Sequence, residues 1–274
     1  MARLLLIATP IGNLSDASPR MLEAMRSCAR LYCEDTRHTL KLLRHFMIDV
    51  PLESLHEHNE DEKIERILGE IESGSTVGLV SDAGTPVLSD PGFPLVREAR
   101  RRGITVEPIP GPFAAASALA ASGIAPLPFS FWGFPPRRHG ERVEFYRRIG
   151  AHAMTAVVYE SPQRVVASLR DARTALGEVD ATLARELTKM HEEILHGTLS
   201  ELADALEARG EIRGEITLVL AAPAPVAREL PSAAELRAEL DRLRSGGMRR
   251  NDALKALAES HGVGRNELYR LLVE

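Results

Sequence analysis

The chain opens on a short apolar run, Arg3–Ala8, closed by Thr9-Pro10-Ile11-Gly12-Asn13. An apolar run without alternation predicts a strand buried on both faces, as in a parallel sheet, ending in a tight loop. Ser18-Pro19 supplies an N-cap and a first-turn proline, and Leu22, Met25 and Ala29 follow at helical spacing. Leu31–Glu34 reads as a second strand, with Asp35-Thr36-Arg37-His38 as its exit loop. Asn59 is expected to cap a helix whose apolar face is Ile64, Ile67, Leu68 and Ile71, with Gly74 just past its end. Thr76–Val80 is another buried strand, leaving into the loop Ser81–Pro86. Asp90-Pro91 then caps a helix running to Gly103, and Ile104–Ile109 is the next strand.

A break rich in small residues and proline, Ser122–Pro128, divides this unit from a second one, giving expected domains over 1–121 and 122–223. In the second, Phe129–Phe134 reads as a strand and Glu141–Ile149 as a helix. Thr155–Tyr159 is a strand that enters Glu160-Ser161-Pro162 and a helix to Leu176. Thr182–Leu187 and Glu193–Gly197 are strands, Ser200–Ala208 is a helix, and Glu215–Ala221 is the last strand. Residues 224–245 are expected to hold a linker and a helix. The tail, 246–274, carries one helical face in Ala253, Leu254, Leu257 and Ala258 and a second in Leu268, Leu271 and Leu272. His261-Gly262-Val263 makes the turn between them, so the tail reads as a small helix-turn-helix-like unit. Alternating strands and helices predict open α/β sheets, whose ligands bind beyond the carboxyl ends of the strands.

With 274 residues, 44% hydrophobic and 27% charged, the composition suits two globular domains. It contains no apolar run long enough to cross a membrane, and the N-terminal run is too short for a signal peptide, so a cytoplasmic protein is expected. The net charge of −5 argues against a uniformly basic surface but leaves room for local basic patches. Two cysteines, Cys28 and Cys33, exclude a disulfide framework and a four-cysteine zinc site, and are expected to pack as small apolar groups. His56-x-His58 lacks a third ligand at a recognisable spacing, so no metal is expected.

No Gly-x-Gly-x-x-Gly follows the first strand, and no Gly-x-x-x-x-Gly-Lys-Ser/Thr occurs anywhere. The usual phosphate cradles of dinucleotide and triphosphate enzymes are therefore excluded. In their place stand two proline-stiffened loops, Thr9–Asn13 and Ser81–Gly92, the second carrying Asp82 and Asp90. Glycine lets backbone amides approach a ligand closely, and proline lowers the ordering cost of binding. Two such loops at one sheet edge point to a ligand cradle.

These loops join Glu34-Asp35-Thr36-Arg37, His56-Glu57-His58-Asn59-Glu60, Ile109-Pro110-Gly111-Pro112, Tyr159-Glu160-Ser161-Pro162 and Ala184-Arg185-Glu186-Leu187-Thr188-Lys189. In that combination the chain resembles the bacterial small-subunit ribosomal RNA methyltransferases of the tetrapyrrole-methylase superfamily. The likeness extends through Pro223, and the tail is similar to the small helical domain of such proteins. It implies a class III fold of two α/β domains with S-adenosyl-L-methionine in the cleft between them, in a homodimer. The implied reaction is 2′-O-methylation of a cytidine ribose in the decoding centre of 16S rRNA, on the small ribosomal subunit. The implied cofactor contacts are Pro10, Gly12, Asp82, Ala83, Gly84, Thr85 and Pro86 from the first domain, and Tyr159, Ser161, Leu187, Gly214 and Glu215 from the second.

A ribose hydroxyl must lose its proton during attack or have its developing charge stabilised. Asp35 with Arg37 offers a base and a cation. Glu160, and Arg185 with Lys189, offer a second such set. Plainer roles suit the same residues: a helix cap with a local ion pair for Asp35 and Arg37, and a helix-initiating carboxylate for Glu160. For RNA, Arg137 and Arg138 follow Phe131-Trp132-Gly133-Phe134, in which Trp132 and Phe134 read as core, and Arg142, Arg147 and Arg148 continue the basic run. Arg249 and Arg250 open the tail and are expected to dock RNA. Two other functions fit parts of the pattern: C-methylation of a porphyrin or corrin precursor, and a non-catalytic RNA-binding role in ribosome assembly.

Overall fold

Both faces of the first sheet are covered by helices, which is why its strands are apolar without alternation. The computed structural model describes residues 2–56, 59–223, 232–261, 268–270 and 272. Strands β1 (Leu4–Ile7), β2 (Arg30–Cys33), β3 (Leu52–Ser54), β4 (Val77–Val80) and β5 (Val106–Ile109) pair in the order β3-β2-β4-β1-β5, all parallel. Helices α1 (Pro19–Ser27), α2 (Thr36–His45), α3 (Glu60–Glu72) and α4 (Phe93–Arg101) cover it. Leu5 and Ile7 pack with Met21, Met25 and Leu43 on one side, and Leu4 packs with Ile67, Leu68 and Leu95 on the other. Cys28 and Cys33 are free and buried, and burial pushes their thiols up to about 12 and about 11, as inert packing groups.

Several local expectations are corrected. The buried face of α1 is Met21, Ala24 and Met25 with Cys28 beyond it, leaving Leu22 half-buried and Ala29 exposed. The segment expected to be the exit loop of β2 is the first turn of α2, with Asp35 as its N-cap. Asp90 does not cap α4. Gly92, in a left-handed conformation at φ 118°, occupies the cap position, and the Asp90 carboxylate is engaged elsewhere.

The second sheet is mixed. Strands β6 (Phe129–Phe131), β7 (Thr155–Glu160), β8 (Asp180–Arg185), β9 (Glu193–Thr198) and β10 (Ile216–Leu220) run in the order β6-β7-β10-β8-β9. Only β6 and β7 pair parallel; the other three pairings are antiparallel. Helices α6 (His139–Ala151), α7 (Val165–Leu176) and α8 (Leu199–Arg209) supply one core with this sheet. The helix α5 (Ala114–Ala121), which immediately follows the first sheet's last loop, supplies another: Ala115, Ala118 and Leu119 pack on Val157, Ala184 and Val219.

Residues Met1–Ala224 form one unit and Pro225–Glu274 another. In the second, α9 (Ala233–Ser245) begins at a capping box formed by Ser232 and Glu235. It shares a core with α10 (Arg250–His261): Leu236 and Leu240 pack with Ala253, Leu254, Leu257 and Leu268. The expected turn at Gly262-Val263, and Leu271, lie outside the described residues. No helix among the described residues is long and apolar enough to cross a membrane.

Arg142 is not part of a solvated basic face. It is 5% exposed, and its guanidinium binds the Asp171 carboxylate at 2.7 Å and donates to the Arg137 carbonyl at 2.9 Å. Asp171 also meets the His139 ring at 2.8 Å. Removing one partner of a buried pair strands the other's charge and costs about 3–5 kcal/mol. Arg142→Ala should therefore lower unfolding free energy in denaturant titrations by about that amount. A loss below about 1 kcal/mol would show that solvent already compensates the Asp171 charge.

Candidate active site

The loops at the carboxyl edge of the first sheet are tied together by backbone. Thr9 and Gly84 exchange N–H···O bonds of 2.8 and 3.1 Å, an isolated bridge that holds the loop after β1 against the loop after β4. The Thr9 hydroxyl donates to the Ser81 carbonyl at 2.9 Å, and the Thr85 hydroxyl to the Pro112 carbonyl at 3.3 Å. Ser81 donates its hydroxyl to Asp90, and the Asp35 amide donates to the Asp82 carboxylate at 3.2 Å. Burial, reinforced by the nearby charges of Glu34 and Asp82, pushes the Asp90 carboxyl up to about 6 despite the bond from Ser81.

From the second sheet come the ends of β7, β8 and β10. Glu160, at the end of β7, is 2% exposed. Its Oε1 accepts from the Ser161 amide at 2.7 Å and pairs with Arg164 at 2.7 Å, while its Oε2 is buried without a partner. Burial pushes the Tyr159 hydroxyl up to about 12. Beyond β8, Lys189 binds Glu186 at 2.8 Å and Glu215 at 3.0 Å. Burial pulls the Lys189 ammonium down, but these carboxylates outweigh it and leave it above its ordinary value. The two halves meet here: the Asn13 amide donates to the Thr188 hydroxyl at 3.1 Å, and the Lys189 side chain lies where a Cβ on Gly12 would be. A Cβ on Gly214, at φ 94°, would likewise run into Glu186. Six described non-glycine residues have positive φ, and four of them, Val87, Ser89, Glu186 and Thr188, sit in these two loops. Strain of about 1–3 kcal/mol per residue, held by surrounding structure, is a mark of functional loops.

A cavity of about 370 Å³ opens between the two sheets. Of the expected ligand contacts, Asp82, Ala83, Gly84, Thr85, Tyr159, Ser161, Gly214 and Glu215 line it, as does Glu160. Its wall holds four carboxylates, Asp82, Asp90, Glu160 and Glu215, and, among the described residues, no lysine, arginine or histidine. Three aromatic rings, Phe113, Phe134 and Tyr159, face it as well. Such a cavity suits a flat, apolar group joined to a cation. Pro10 and Gly12 line a second cavity of about 350 Å³, which shares Ile11, Asp82, Ala83 and Glu215 with the first. Pro86 and Leu187 line neither.

Asp35 and Arg37 also line neither cavity. The Asp35 carboxylate caps α2 by accepting from the Arg37 amide at 2.8 Å, and forms a two-point pair with the Arg37 side chain at 3.0 and 2.7 Å. The Arg37 hydrogen bonds hold the Asp35 carboxyl at about 2. Arg137 and Arg138 are exposed on the approach to α6, and Arg249 and Arg250 are exposed at the start of α10. Trp132 is half-buried against the second core, with Arg148 over its ring at 5.8 Å, but Phe134 is exposed and belongs to the cavity wall instead of the core. Sequence reasoning missed Phe113 and took Asp90 for a helix cap. The one signal available for Phe113 was its place directly after Ile109-Pro110-Gly111-Pro112. His58 lies outside the described residues, and no acidic, cysteine or histidine cluster among the described residues could hold a metal.

A family model described as tetrapyrrole (corrin/porphyrin) methylases matches residues 3–203. The chain is 42% identical over 275 residues to the ribosomal RNA small subunit methyltransferase I of Synechocystis sp., covering 100% of this chain and 98% of that protein. It is 39% identical over 279 residues to the protein of the same name from Escherichia coli O157:H7, covering 99% and 95%. Among solved structures, the uroporphyrin-III C-methyl transferase of Thermus thermophilus complexed with S-adenyl homocysteine superposes with a TM-score of 0.53 at 18% identity, covering 80% of this chain and 97% of that one. The matched span takes in the whole first sheet and four strands of the second, β6 to β9, with the loops after β1, β4, β7 and β8, and the chain belongs to the tetrapyrrole methylase family.

Proposed function

We propose that this chain is an S-adenosyl-L-methionine-dependent methyltransferase that modifies the 2′-hydroxyl of a cytidine ribose in 16S rRNA, acting on the small ribosomal subunit in the cytoplasm, as a homodimer. The observation that carries this reading is the reach of the likeness. Relatives named for the small ribosomal subunit align with 99% or more of this chain, including the C-terminal helical unit that lies beyond residue 203, where the family model stops. A docking unit of that kind suits a macromolecular substrate better than a free porphyrin.

The first cavity fits the cofactor by charge and shape. S-Adenosyl-L-methionine is cationic at sulfur and nitrogen and carries an adenine, and the wall offers four carboxylates, an unpartnered buried Glu160 oxygen and three aromatic rings. When bound, the cofactor supplies a methyl group already activated for transfer. Asp82, Ala83, Gly84 and Thr85 would hold it from the first sheet, with Pro86 stiffening their loop. Tyr159, Ser161, Gly214 and Glu215 would hold it from the second, and Glu160 offers an acceptor to a donor group in the cavity. The chain's remaining tasks are to place the acceptor oxygen and to screen its developing charge.

Asp35 is a poor proton acceptor, because a carboxyl held at about 2 is far from the value at which a general base works near neutral pH. Its assignment here is therefore positional: with Arg37 it fixes the start of α2, whose next turn faces the second cavity. Arg137 and Arg138, and Arg249 and Arg250, are assigned to phosphate contacts outside the chemistry.

Labelled methyl transfer to small subunits from a strain lacking the enzyme, followed by nucleoside analysis, tests the function. The full chain should label 2′-O-methylcytidine. A chain ending at Pro223 should lose most transfer while keeping its cofactor affinity, and label in a base or in no nucleoside would overturn the reading. For Asp35→Ala, the expected outcome is a lower melting temperature and a raised KM for subunits, with kcat near that of the parent. A loss of about 10²-fold in kcat at unchanged melting temperature would instead give Asp35 a direct chemical part. The cavity also predicts a pH dependence. With the free Asp90 carboxyl at about 6, raising the pH from 5 to 7 adds a negative charge to the wall, so cofactor affinity measured by calorimetry should rise several-fold over that interval. Asp90→Asn should flatten the rise. An affinity that falls with pH, or an unchanged slope in the variant, would contradict the assignment.

A further inference from the structure

The two adjoining cavities differ in their basic side chains. Among the described residues the first has carboxylates and no basic side chain, whereas the second sets His38, Lys41 and Lys189 against the shared Asp82 and Glu215. His38, Lys41 and Leu42 are spaced i, i+3 and i+4 on α2, so one helix face supplies that side of the second cavity. Among the described residues, neither the Lys41 ammonium nor the His38 ring has a hydrogen-bond or ion-pair partner. Both are exposed. Lys189 stands differently, held across Gly12 by Glu186 and by Glu215, and Glu215 is itself on the wall common to both cavities.

An unpaired lysine beside an unpaired imidazole on one helix face, with an ion-paired lysine lining the same cavity, makes a place for an anion and for the group attached to it. We infer that the second cavity is the acceptor subsite: Lys41 and His38 bind a backbone phosphate of the RNA, and Lys189 lies toward the ribose whose hydroxyl is methylated. This rests on the methyltransferase reading above and adds to it the residues that seat the nucleotide. The first cavity, with four carboxylates, disfavours a polyanion, whereas the unpaired Lys41 on the second offers a phosphate a partner, so charge biases the two substrates toward adjoining sites. A hydroxyl beside the Lys189 ammonium loses its proton more easily, and the negative charge that develops on its oxygen is screened there. Glu186 and Glu215 keep Lys189 protonated, so it acts as a cation and not as a base.

The experiment uses the full chain with small subunits lacking the modification. Lys41→Glu is the first variant, because the side chain is exposed and has no partner whose loss would disturb folding. Subunit affinity should fall at least tenfold, and the slope of log affinity against log salt should drop by about one. KM should rise in step, while the dissociation constant for S-adenosylhomocysteine stays within twofold. Lys189→Gln should lower kcat at saturating subunits with a smaller effect on KM. Melting temperatures of both variants check folding. If the parent methylates subunits but Lys41→Glu keeps parental affinity, KM and salt slope, the subsite inference fails and the function stands. If the parent methylates no RNA and instead transfers methyl to a porphyrinogen polycarboxylate, the function fails, and this nucleotide subsite with it.

Discussion

The arrangement depends on α5, a thin helix of alanine and serine around Leu119. It leaves the loop after the first sheet's edge strand and seats Ala115, Ala118 and Leu119 on Val157, Ala184 and Val219 of the second sheet. Small side chains let the helix axis come close to the sheet. That contact brings the loops at the ends of β1 and β4 to face the ends of β7, β8 and β10. Phe113, one residue before α5, packs edge-on against Phe131 at 5.3 Å between ring centroids, and Phe131 against Tyr159 at 4.9 Å. The same aromatic chain that joins the halves therefore also lines the cavity between them.

Given that frame, the chemistry is set by how carboxylates are distributed. The first cavity gathers Asp82, Asp90, Glu160 and Glu215 without, among the described residues, a lysine, arginine or histidine on its wall. Their mutual repulsion is tolerated through local devices: Ser81 binds Asp90, Arg164 binds Glu160 from behind, and Lys189 binds Glu215. One oxygen of Glu160 is left buried and unsatisfied, a cost that a ligand with a hydrogen-bond donor would offset. Strained residues Val87 and Ser89 hold the acidic loop, and Glu186 and Thr188 hold the lysine loop. Rigid loops of this kind lower the ordering cost of binding.

Much of this was legible in the chain because burial on both faces leaves an unmistakable pattern. β1 and β4 read as apolar runs, and their exits read as proline-stiffened loops, the second with acidic residues. What escaped notice did so for identifiable reasons. α5 has no polar face, because it packs on the sheet through small residues, so it gives no helical period. α2 begins directly after β2, so the sequence leaves Asp35 open between a chemical part and a helix cap paired with Arg37, and the structure shows the cap and the pair. Phe134 looked like core by composition, yet it is 54% exposed at the cavity, where an aromatic is useful without being buried. Arg142 looked like one of a basic run, but Asp171, 29 residues on, made it a buried partner. Sequence pattern reports faces and caps well. It reports poorly which long-range partner a charged side chain will meet.

The central claim is that the basic side chains, lining the second cavity and not the described wall of the first, divide one cleft into an acceptor side and a cofactor side, and a ternary structure tests it most directly. The full chain would be crystallised, or imaged on the small subunit, with S-adenosylhomocysteine and the RNA present together. The account predicts the cofactor product against Asp82–Thr85, Tyr159 and the free oxygen of Glu160, and an RNA phosphate within hydrogen-bonding distance of Lys41. An RNA backbone seated elsewhere on the chain, or a cofactor product held among His38, Lys41 and Lys189, would contradict it.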